Sequence, residues 1–188
     1  MLSTSAELVV TTYRIEHHVE SAARGISEFG GVKRRFEHVA TIGDVVVVDD
    51  YAHHPTEVRA TLAAARTAST GARWVVFQPH RYSRTAAFAR DFGEAFDAAD
   101  RVVILDVYSA GEAPVPGVSG KTIVDAILRH RPRTRLAYFP HRVDVARYIA
   151  SRARPGDLVM TMGAGDVTTM GPEIVRELSD TARESGAL

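Results

Sequence analysis

The stretch Val45-Val46-Val47-Val48-Asp49-Asp50 decides the fold. Four consecutive valines without polar alternation predict a strand that is buried on both faces, as in parallel sheets. Short apolar runs of the same kind follow at residues 74–77, 102–105 and 157–161. Because helix-like segments separate these runs, the sequence predicts an α/β fold: a Rossmann-like, doubly wound and mostly parallel sheet flanked by helices.

The other predicted elements extend this alternation. In one of the helices Phe88, Phe92 and Phe96 recur at i, i+4 spacing, which predicts a single continuous apolar stripe. The break at Gly30-Gly31 separates a leading segment, residues 1–30, from a domain at residues 31–188, and we interpret the leading segment as a linker or a remnant of a preceding domain. The remaining predictions are strands at 36–40 and 136–139 and helices at 55–68, 85–99, 121–129, 143–153 and around 174–178.

Composition limits the function classes. A chain of 188 residues with 45% hydrophobic and 24% charged residues is typical of one globular domain. Its 23 basic and 23 acidic residues balance, so no net charge draws it to nucleic acid or an anionic membrane. The absence of cysteine excludes disulfides, zinc thiolates and thiol nucleophiles. The sequence shows no signal peptide or membrane span, and we expect a cytoplasmic protein.

Polar or glycine-rich residues follow four of the predicted strands. They occupy residues 49–57, 78–85, 106–112 and 163–166. In an open parallel sheet, ligands bind beyond the carboxyl ends of the strands. The sequence therefore predicts a ligand site at one edge of the sheet, built from all four loops.

The loop at residues 78–85 is the most basic of the four. His80, Arg81 and Arg84 place three potential cations within five positions, and no acidic residue lies between Gln78 and Arg90. A guanidinium pairs with a carboxylate in a planar fork, so this loop predicts a carboxylate clamp. A solvated arginine face is the alternative interpretation.

The first loop leaves several interpretations open. Asp49 and Asp50 either turn the strand end or hold a ribose hydroxyl or a metal-bound phosphate. His53 and His54 are either surface histidines or donors to a phosphate. A metal site that combines them with Asp50 and His80 is disfavoured, because no helix places two of these ligands at i, i+4, and no metal ligand is assigned.

Two glycine motifs are incomplete. Gly120-Lys121-Thr122 ends like a phosphate-binding P-loop, but Val115 stands where its first glycine belongs. Gly163-Ala164-Gly165 opens like a dinucleotide fingerprint, but Thr168 occupies the place of the third glycine. Neither motif predicts a nucleotide site by itself.

Five motifs in series resemble, in order and approximate spacing, the third domain of the UDP-N-acetylmuramate–L-alanine ligases, a family of Mur ligases. The resemblance covers residues 29–178. The run His-Arg-Tyr-Ser-Arg at 80–84 points to the alanine-adding family rather than to the ligase that recycles murein tripeptide. The motifs are residues 31–37, 49–57, 78–85, 106–112 and 163–166.

The resemblance implies a function in peptidoglycan synthesis. Such ligases use ATP to convert the muramate carboxylate to an acyl phosphate, which the amine of L-alanine attacks. The resemblance implies ATP and Mg²⁺ as cofactors of the complete enzyme, none of them tightly bound to this domain, and L-alanine, ATP and UDP-N-acetylmuramate as partners. It also assigns residues: for ATP, Arg35, Asp49, Asp50, His53 and His54; for L-alanine, His80, Arg81, Arg84, Tyr51, Tyr108 and Glu112; for the rim loop, Gly163, Gly165 and Asp166.

The departure from the family is the missing ATPase apparatus. No complete P-loop occurs in the sequence, so we expect the chain to be catalytically incomplete by itself. An excised domain, a split or truncated gene product and a stand-alone relative are all compatible with this. The alternative functions are a non-catalytic module that binds a small amino acid or nucleotide or docks on an intact ligase, and a metal hydrolase using His53, His54 and His80.

Overall fold

The computed structural model describes residues 33–184, and these contain one six-stranded sheet. The predicted leading segment and its boundary at Gly30-Gly31 lie outside the described residues. The strands are β1 Glu37–Ile42, β2 Val45–Asp50, β3 Arg73–Phe77, β4 Arg101–Leu105, β5 Leu136–Phe139 and β6 Leu158–Met162.

The strand order is β1-β2-β6-β3-β4-β5, and every pairing except β1 with β2 is parallel. The predicted doubly wound, mostly parallel sheet is therefore confirmed. β1 is an antiparallel edge strand joined to β2 by a tight turn, with a register shift between His38 and Ala40. The central position of β6, which is last in sequence, brings its loop between those of β2 and β3.

Helices cover both faces of the sheet. Val48 and Phe77 face one apolar cluster, and Val47 and Trp74 face the other. This explains why the valine run lacks polar alternation: both of its faces are buried. The helices are α1 Pro55–Ala65, α2 Tyr82–Ala87, α3 Ala89–Ala95, α4 Gly120–His130, α5 Val145–Ala150 and α6 Met170–Glu184, with 3-10 turns at Arg142–Asp144 and Asp166–Thr169.

The prediction of one continuous helix over residues 85–99 was wrong. The chain breaks at Phe88, whose φ of −108° and ψ of 17° end α2 and begin α3. Phe92 and Phe96 pack on Phe77, each with a ring-centroid distance of 5.3 Å. Phe88 packs against the same core from its edge, and its ring also lies edge-on against His54, at 4.7 Å. The phenylalanine spacing therefore serves two different contacts.

A buried polar contact fixes the amino-terminal end of the sheet. The indole Nε1 of Trp74 donates to Asp157 Oδ2 (2.9 Å), and the other oxygen of this carboxylate accepts from Ala72 N (2.8 Å). Trp74 is 1% exposed, and the guanidinium of Arg101 lies 4.7 Å from its ring centre. Trp74 and Asp157 thus hold the starts of β3 and β6 together at this end of the sheet. Within residues 33–184 no helix is long and apolar enough to cross a membrane.

Candidate functional site at the carboxyl edge of the sheet

Four loops meet at the carboxyl edge of the sheet because β2, β6, β3 and β4 are neighbours. Gly163 N donates to Asp50 O (3.1 Å), which ties the loop after β6 to the end of β2. Gln78 N donates to Met162 O (3.0 Å), which ties the loop after β3 to the end of β6. The residues that the sequence singled out therefore share one edge, which we call the rim.

Four rings form a continuous row across the rim. Centroid distances are 5.2 Å from Tyr51 to His53, 5.7 Å from His53 to His80, and 5.6 Å from His80 to Tyr108. His80 and Tyr108 are nearly parallel, with an interplanar angle of 14°. Tyr51 and Tyr108 remain exposed, so the ring row presents an apolar and imidazole surface to a ligand.

His80 lies at the centre of the predicted basic loop. Its Nδ1 is 3.2 Å from Arg84 Nη1, so the sequence-predicted pair is in contact. Burial lowers the pKa of His80, and the positive charges of Arg84, His53 and Arg81 lower it further, against the opposing effect of Glu112. We therefore expect His80 to be neutral near pH 7.

Arg81 combines a fixed backbone with a loosely held side chain. Its φ of 73° and ψ of 134° are sparsely populated for a residue with a Cβ, and its N–H donates to Tyr108 O (2.8 Å). The half-exposed guanidinium is 3.7 Å from Glu112 Oε1. Glu112 itself accepts from the hydroxyl and backbone N–H of Ser83 (2.5 and 3.0 Å), and these bonds, the hydroxyl first, lower the pKa of Glu112. Arg81 is thus available to another anion.

Asp49 and Asp50 are each 3% exposed, and the carboxylate of each accepts three hydrogen bonds from other residues of the chain. Arg34, Thr161 and Thr168 donate side-chain bonds to Asp49 at 2.6–2.9 Å. The partners of Asp50 are the backbone N–H groups of Phe36 and Ala52 (2.8 and 2.7 Å) and the hydroxyl of Thr61 (3.3 Å). Little of either carboxylate is left for a ligand.

Arg34 is a rim residue that sequence reasoning missed in favour of Arg35. Besides its bond to Asp49, its Nη2 donates to Gly163 O (2.6 Å), and its guanidinium lies 5.0 Å from the Tyr51 ring centre. Arg35 is more exposed, and its nearest ionic partner is Glu57 Oε1 at 3.8 Å. Arg34 therefore links the loops, while Arg35 has a single long ion pair within residues 33–184.

The start of α1 organises the double histidine. Glu57 Oε2 accepts from the backbone N–H groups of His53 (3.0 Å) and His54 (3.1 Å). Burial alone would raise the pKa of Glu57, but these two bonds and the charges of His53 and Arg35 outweigh it, so the pKa is lowered. His54 Nδ1 accepts from Thr56 N (3.3 Å) and so caps the helix. The two histidines thus have different local roles, and Glu57 is a further residue that the sequence did not assign to the site.

The loop at 163–166 approaches its neighbours too closely for side chains. A Cβ on Gly163, whose φ is +148°, would lie 2.9 Å from Gln78 O. On Gly165 it would lie 2.5 Å from Gln78 Oε1 and 2.6 Å from the ring of Tyr108. Asp166 accepts from Gln78 Nε2 (2.7 Å), in the predicted loop at residues 78–85, and from Arg142 Nη1 (3.1 Å), which the sequence did not assign to the site.

A cleft of about 470 Å³ adjoins the rim at the ends of β3, β4 and β5. Its lining includes Gln78, Asp106, Tyr108, His141, Arg142 and Asp166. A larger groove of about 570 Å³, lined by α2, α3 and α4 residues such as Arg90 and Arg129, contains no rim residue. Across residues 33–184 no three His, Asp or Glu side chains are grouped to hold a metal ion.

Comparison with known proteins decides the family. The model of the family described as "Mur ligase, glutamate ligase domain" matches residues 34–165. The chain belongs to this family. The match contains β1 to β6, the first three rim loops and the fourth as far as Gly165.

Several relatives of this Mur ligase domain are named as UDP-N-acetylmuramate–L-alanine ligases. The chain is 54% identical over 162 residues to the UDP-N-acetylmuramate–L-alanine ligase of Mycolicibacterium smegmatis, covering 85% of the chain and 33% of the relative. It is 48% identical over 164 residues to that of Pelotomaculum thermopropionicum, covering 87% and 35%. Among solved structures, the UDP-N-acetylmuramate-alanine ligase of Thermotoga maritima matches with a TM-score of 0.65 and 26% identity, over 86% of the chain and 32% of the relative. The chain thus spans about a third of the length of these relatives.

Proposed function

We propose that this Mur ligase domain is the C-terminal domain of a UDP-N-acetylmuramate–L-alanine ligase, where it binds the incoming L-alanine and contacts ATP. The observation that carries the proposal is the contact of His53 with His80, which in turn contacts Arg84, because it joins the two loops that the resemblance assigns to ATP and to the amino acid. Identity of 48–54% to relatives of that name supports the same substrate.

The basic loop accounts for recognition of the amino acid. Arg81 and Arg84 bind the carboxylate of L-alanine, and His80, which is neutral, donates a further hydrogen bond. The rings of Tyr51 and Tyr108 bound the site, and Glu112 holds Arg81 until the substrate carboxylate replaces it. Fixing the carboxylate orients the amine toward the acyl phosphate, and such positioning contributes at most roughly 7–11 kcal/mol to catalysis.

The ATP side of the rim depends on fewer residues than the resemblance implies. Arg35 is the exposed cation suited to a phosphate. Asp49 and Asp50 act by positioning the loops, because their oxygens accept bonds from the protein, and His54 acts by capping α1. His53 faces the amino-acid side through its contact with His80.

The remaining components of the reaction come from outside the described residues. Mg²⁺ is commonly bound by one or two carboxylates together with substrate phosphates, and we assign it to ATP and the other domains of the ligase. UDP-N-acetylmuramate likewise binds elsewhere. With these domains the chain completes the ATP-dependent formation of an amide bond in peptidoglycan synthesis, in the cytoplasm.

The test supplies ATP, Mg²⁺, UDP-N-acetylmuramate and L-alanine and measures phosphate release with and without the other ligase domains. We expect L-alanine-dependent release only in the complete enzyme. Replacing Arg84 by Met should raise the KM for L-alanine roughly 10–100-fold, the value of a lost charged hydrogen bond, and leave the KM for ATP nearly unchanged. Arg90→Met, outside the rim, is the matched control.

Two results would contradict the proposal. Robust turnover by the chain alone would refute its catalytic incompleteness, and a complete enzyme indifferent to L-alanine would refute the substrate. Calorimetry addresses the alternative of a stand-alone binding module. Tight binding of L-alanine by the chain without nucleotide would favour that alternative, because part of a shared site should bind weakly.

A further inference from the structure

Two neighbouring acceptors determine which ring nitrogen of neutral His53 carries the proton. Its Nδ1 is 2.9 Å from the carbonyl oxygen of Tyr51 and 3.5 Å from Oε2 of Glu57. A carbonyl oxygen cannot donate, and the lowered pKa of Glu57, in which backbone bonds outweigh burial, keeps its carboxylate ionised. Neutral His53 therefore carries its proton on Nδ1 and a lone pair on Nε2.

His80 has the opposite tautomer. Its Nδ1 faces the guanidinium of Arg84 at 3.2 Å, and a guanidinium only donates. Neutral His80 therefore accepts at Nδ1 and carries its proton on Nε2. Two adjacent rings, 5.7 Å apart, thus present one acceptor and one donor.

Both Nε2 atoms are open to a ligand. Among residues 33–184, neither accepts nor donates a hydrogen bond to the protein, and neither is a buried atom without a partner. His53 Nε2 has a lone pair and can take up a proton, whereas His80 Nε2 already carries a proton and donates it. A substrate that bears both a carboxylate and an ammonium group needs such a pair.

We propose that His53 Nε2 is the general base that removes a proton from the ammonium group of the amino acid, while His80 Nε2 donates to its carboxylate. The inference rests on the proposed function and adds a catalytic residue to it. The carbonyl and Glu57 behind Nδ1 stabilise the imidazolium that forms, as a carboxylate behind a catalytic histidine does.

Atoms and charges balance in this step. The ammonium nitrogen gives one proton to His53 Nε2, and its freed lone pair attacks the carbonyl carbon of the acyl phosphate. The C–N bond forms, and the bond from that carbon to the phosphate oxygen breaks with its electron pair on phosphate. The second proton lost by nitrogen leaves with the phosphate.

Charged groups lie on two sides of the His53 ring. Glu57 faces it from α1 and is paired with Arg35, while His80 faces it from the loop after β3, with Arg84 and Arg81 behind. Burial lowers the pKa of His80, so this ring keeps an acceptor at Nδ1 and a donor at Nε2 at neutral pH.

A nuclear magnetic resonance experiment on this chain tests the tautomers without any catalysis. Two-bond ¹H–¹⁵N correlation of the imidazole rings above pH 7 should show protonated Nδ1 and unprotonated Nε2 for His53, and the reverse for His80. His53→Gln and His80→Gln assign the signals. An Nε2-protonated His53 would overturn the proposal.

Kinetics of the complete ligase tests the base. His53→Gln should lower kcat by about 10²–10⁴-fold with a small change in the KM for L-alanine. His80→Gln should mainly raise that KM. His130→Gln, which alters an exposed histidine paired with Asp97, is the control.

The outcomes separate the two proposals. Unchanged kcat in His53→Gln, with the wild-type enzyme active on L-alanine, would overturn the general base and leave the proposed function intact. A wild-type complete enzyme without L-alanine-dependent turnover would overturn both.

Discussion

The acidic pair Asp49 and Asp50 and the basic loop at residues 80–84 lie on the same rim, yet they are built in opposite ways. The acidic pair is buried and accepts six hydrogen bonds from named partners within the chain. In the basic loop, Arg81 is half-exposed and its only ionic partner in the described structure is 3.7 Å away. A charged residue beside a site acts on a ligand only when its own hydrogen-bonding capacity remains free.

The largest effect is expected when the buried carboxylate of Asp50 is removed, which tests whether the acidic pair serves the fold rather than a ligand. Asp50→Ala leaves two backbone N–H groups without a partner, each worth about 1–3 kcal/mol, so we expect the free energy of unfolding to fall by about 3 kcal/mol in urea denaturation. Asp50→Asn, which keeps one acceptor oxygen, should lose less. An unchanged urea midpoint in Asp50→Ala would mean that the carboxylate is free for a ligand after all.

Gly165→Ala tests whether the loop at residues 163–166 is closely packed against Tyr108. The new Cβ would meet Gln78 Oε1 at 2.5 Å and the tyrosine ring at 2.6 Å, and overpacking of this kind costs about 2 kcal/mol. The same denaturation experiment measures it. Gly43→Asn is the control, because a Cβ at Gly43, where φ is +50°, would have no atom within 4 Å, and Asn tolerates that conformation. Equal effects of the two substitutions would argue against close packing at the rim.

Arg81→Gly should separate stability from binding. Glycine relieves the unfavourable backbone at φ 73°, so after its own entropic cost we expect a gain of about 1 kcal/mol in the free energy of unfolding. The same variant should lose affinity for L-alanine in the complete ligase. Arg90→Gly, within α3, should instead be destabilising by about 1 kcal/mol. A less stable Arg81→Gly would contradict the idea that the loop stores strain for function.

The smallest effect concerns protonation of His80. Burial and then Arg84 lower its pKa below the ordinary 6.5, so titration followed by nuclear magnetic resonance should give a lower value, and Arg84→Met should raise it. The unfolded chain takes up this proton at a higher pH than the folded chain. The contribution to stability is therefore complete above pH 6.5 and is lost as the pH falls toward the folded pKa. A pKa at or above 6.5 would contradict this environment for His80.

The sequence predicted the sheet and the rim because both follow from local patterns. Continuous apolar runs such as Val45–Asp50 mark buried strands, and the polar residues that follow them must meet at the carboxyl edge of a parallel sheet. The family resemblance then assigned ligands to the loops. What these patterns could not give was which side chains remain free.

Two of the missed residues act over long distances in sequence. Arg34 reaches Gly163 across 129 positions, and Arg142 reaches Asp166 from the far side of β5. No local pattern distinguishes Arg34 from Arg35, and only their packing does so. Phe88 shows the same limit, because its spacing predicts packing on the core but not the contact of its ring with His54.

The single tryptophan offers a practical consequence. Trp74 lies at the amino-terminal end of the sheet, with its indole N–H held by Asp157 and its ring beneath Arg101. Its intrinsic fluorescence should therefore change when the whole sheet melts and stay silent when a small molecule occupies the opposite edge. The chain thus carries its own optical reporter of folding, independent of any ligand signal.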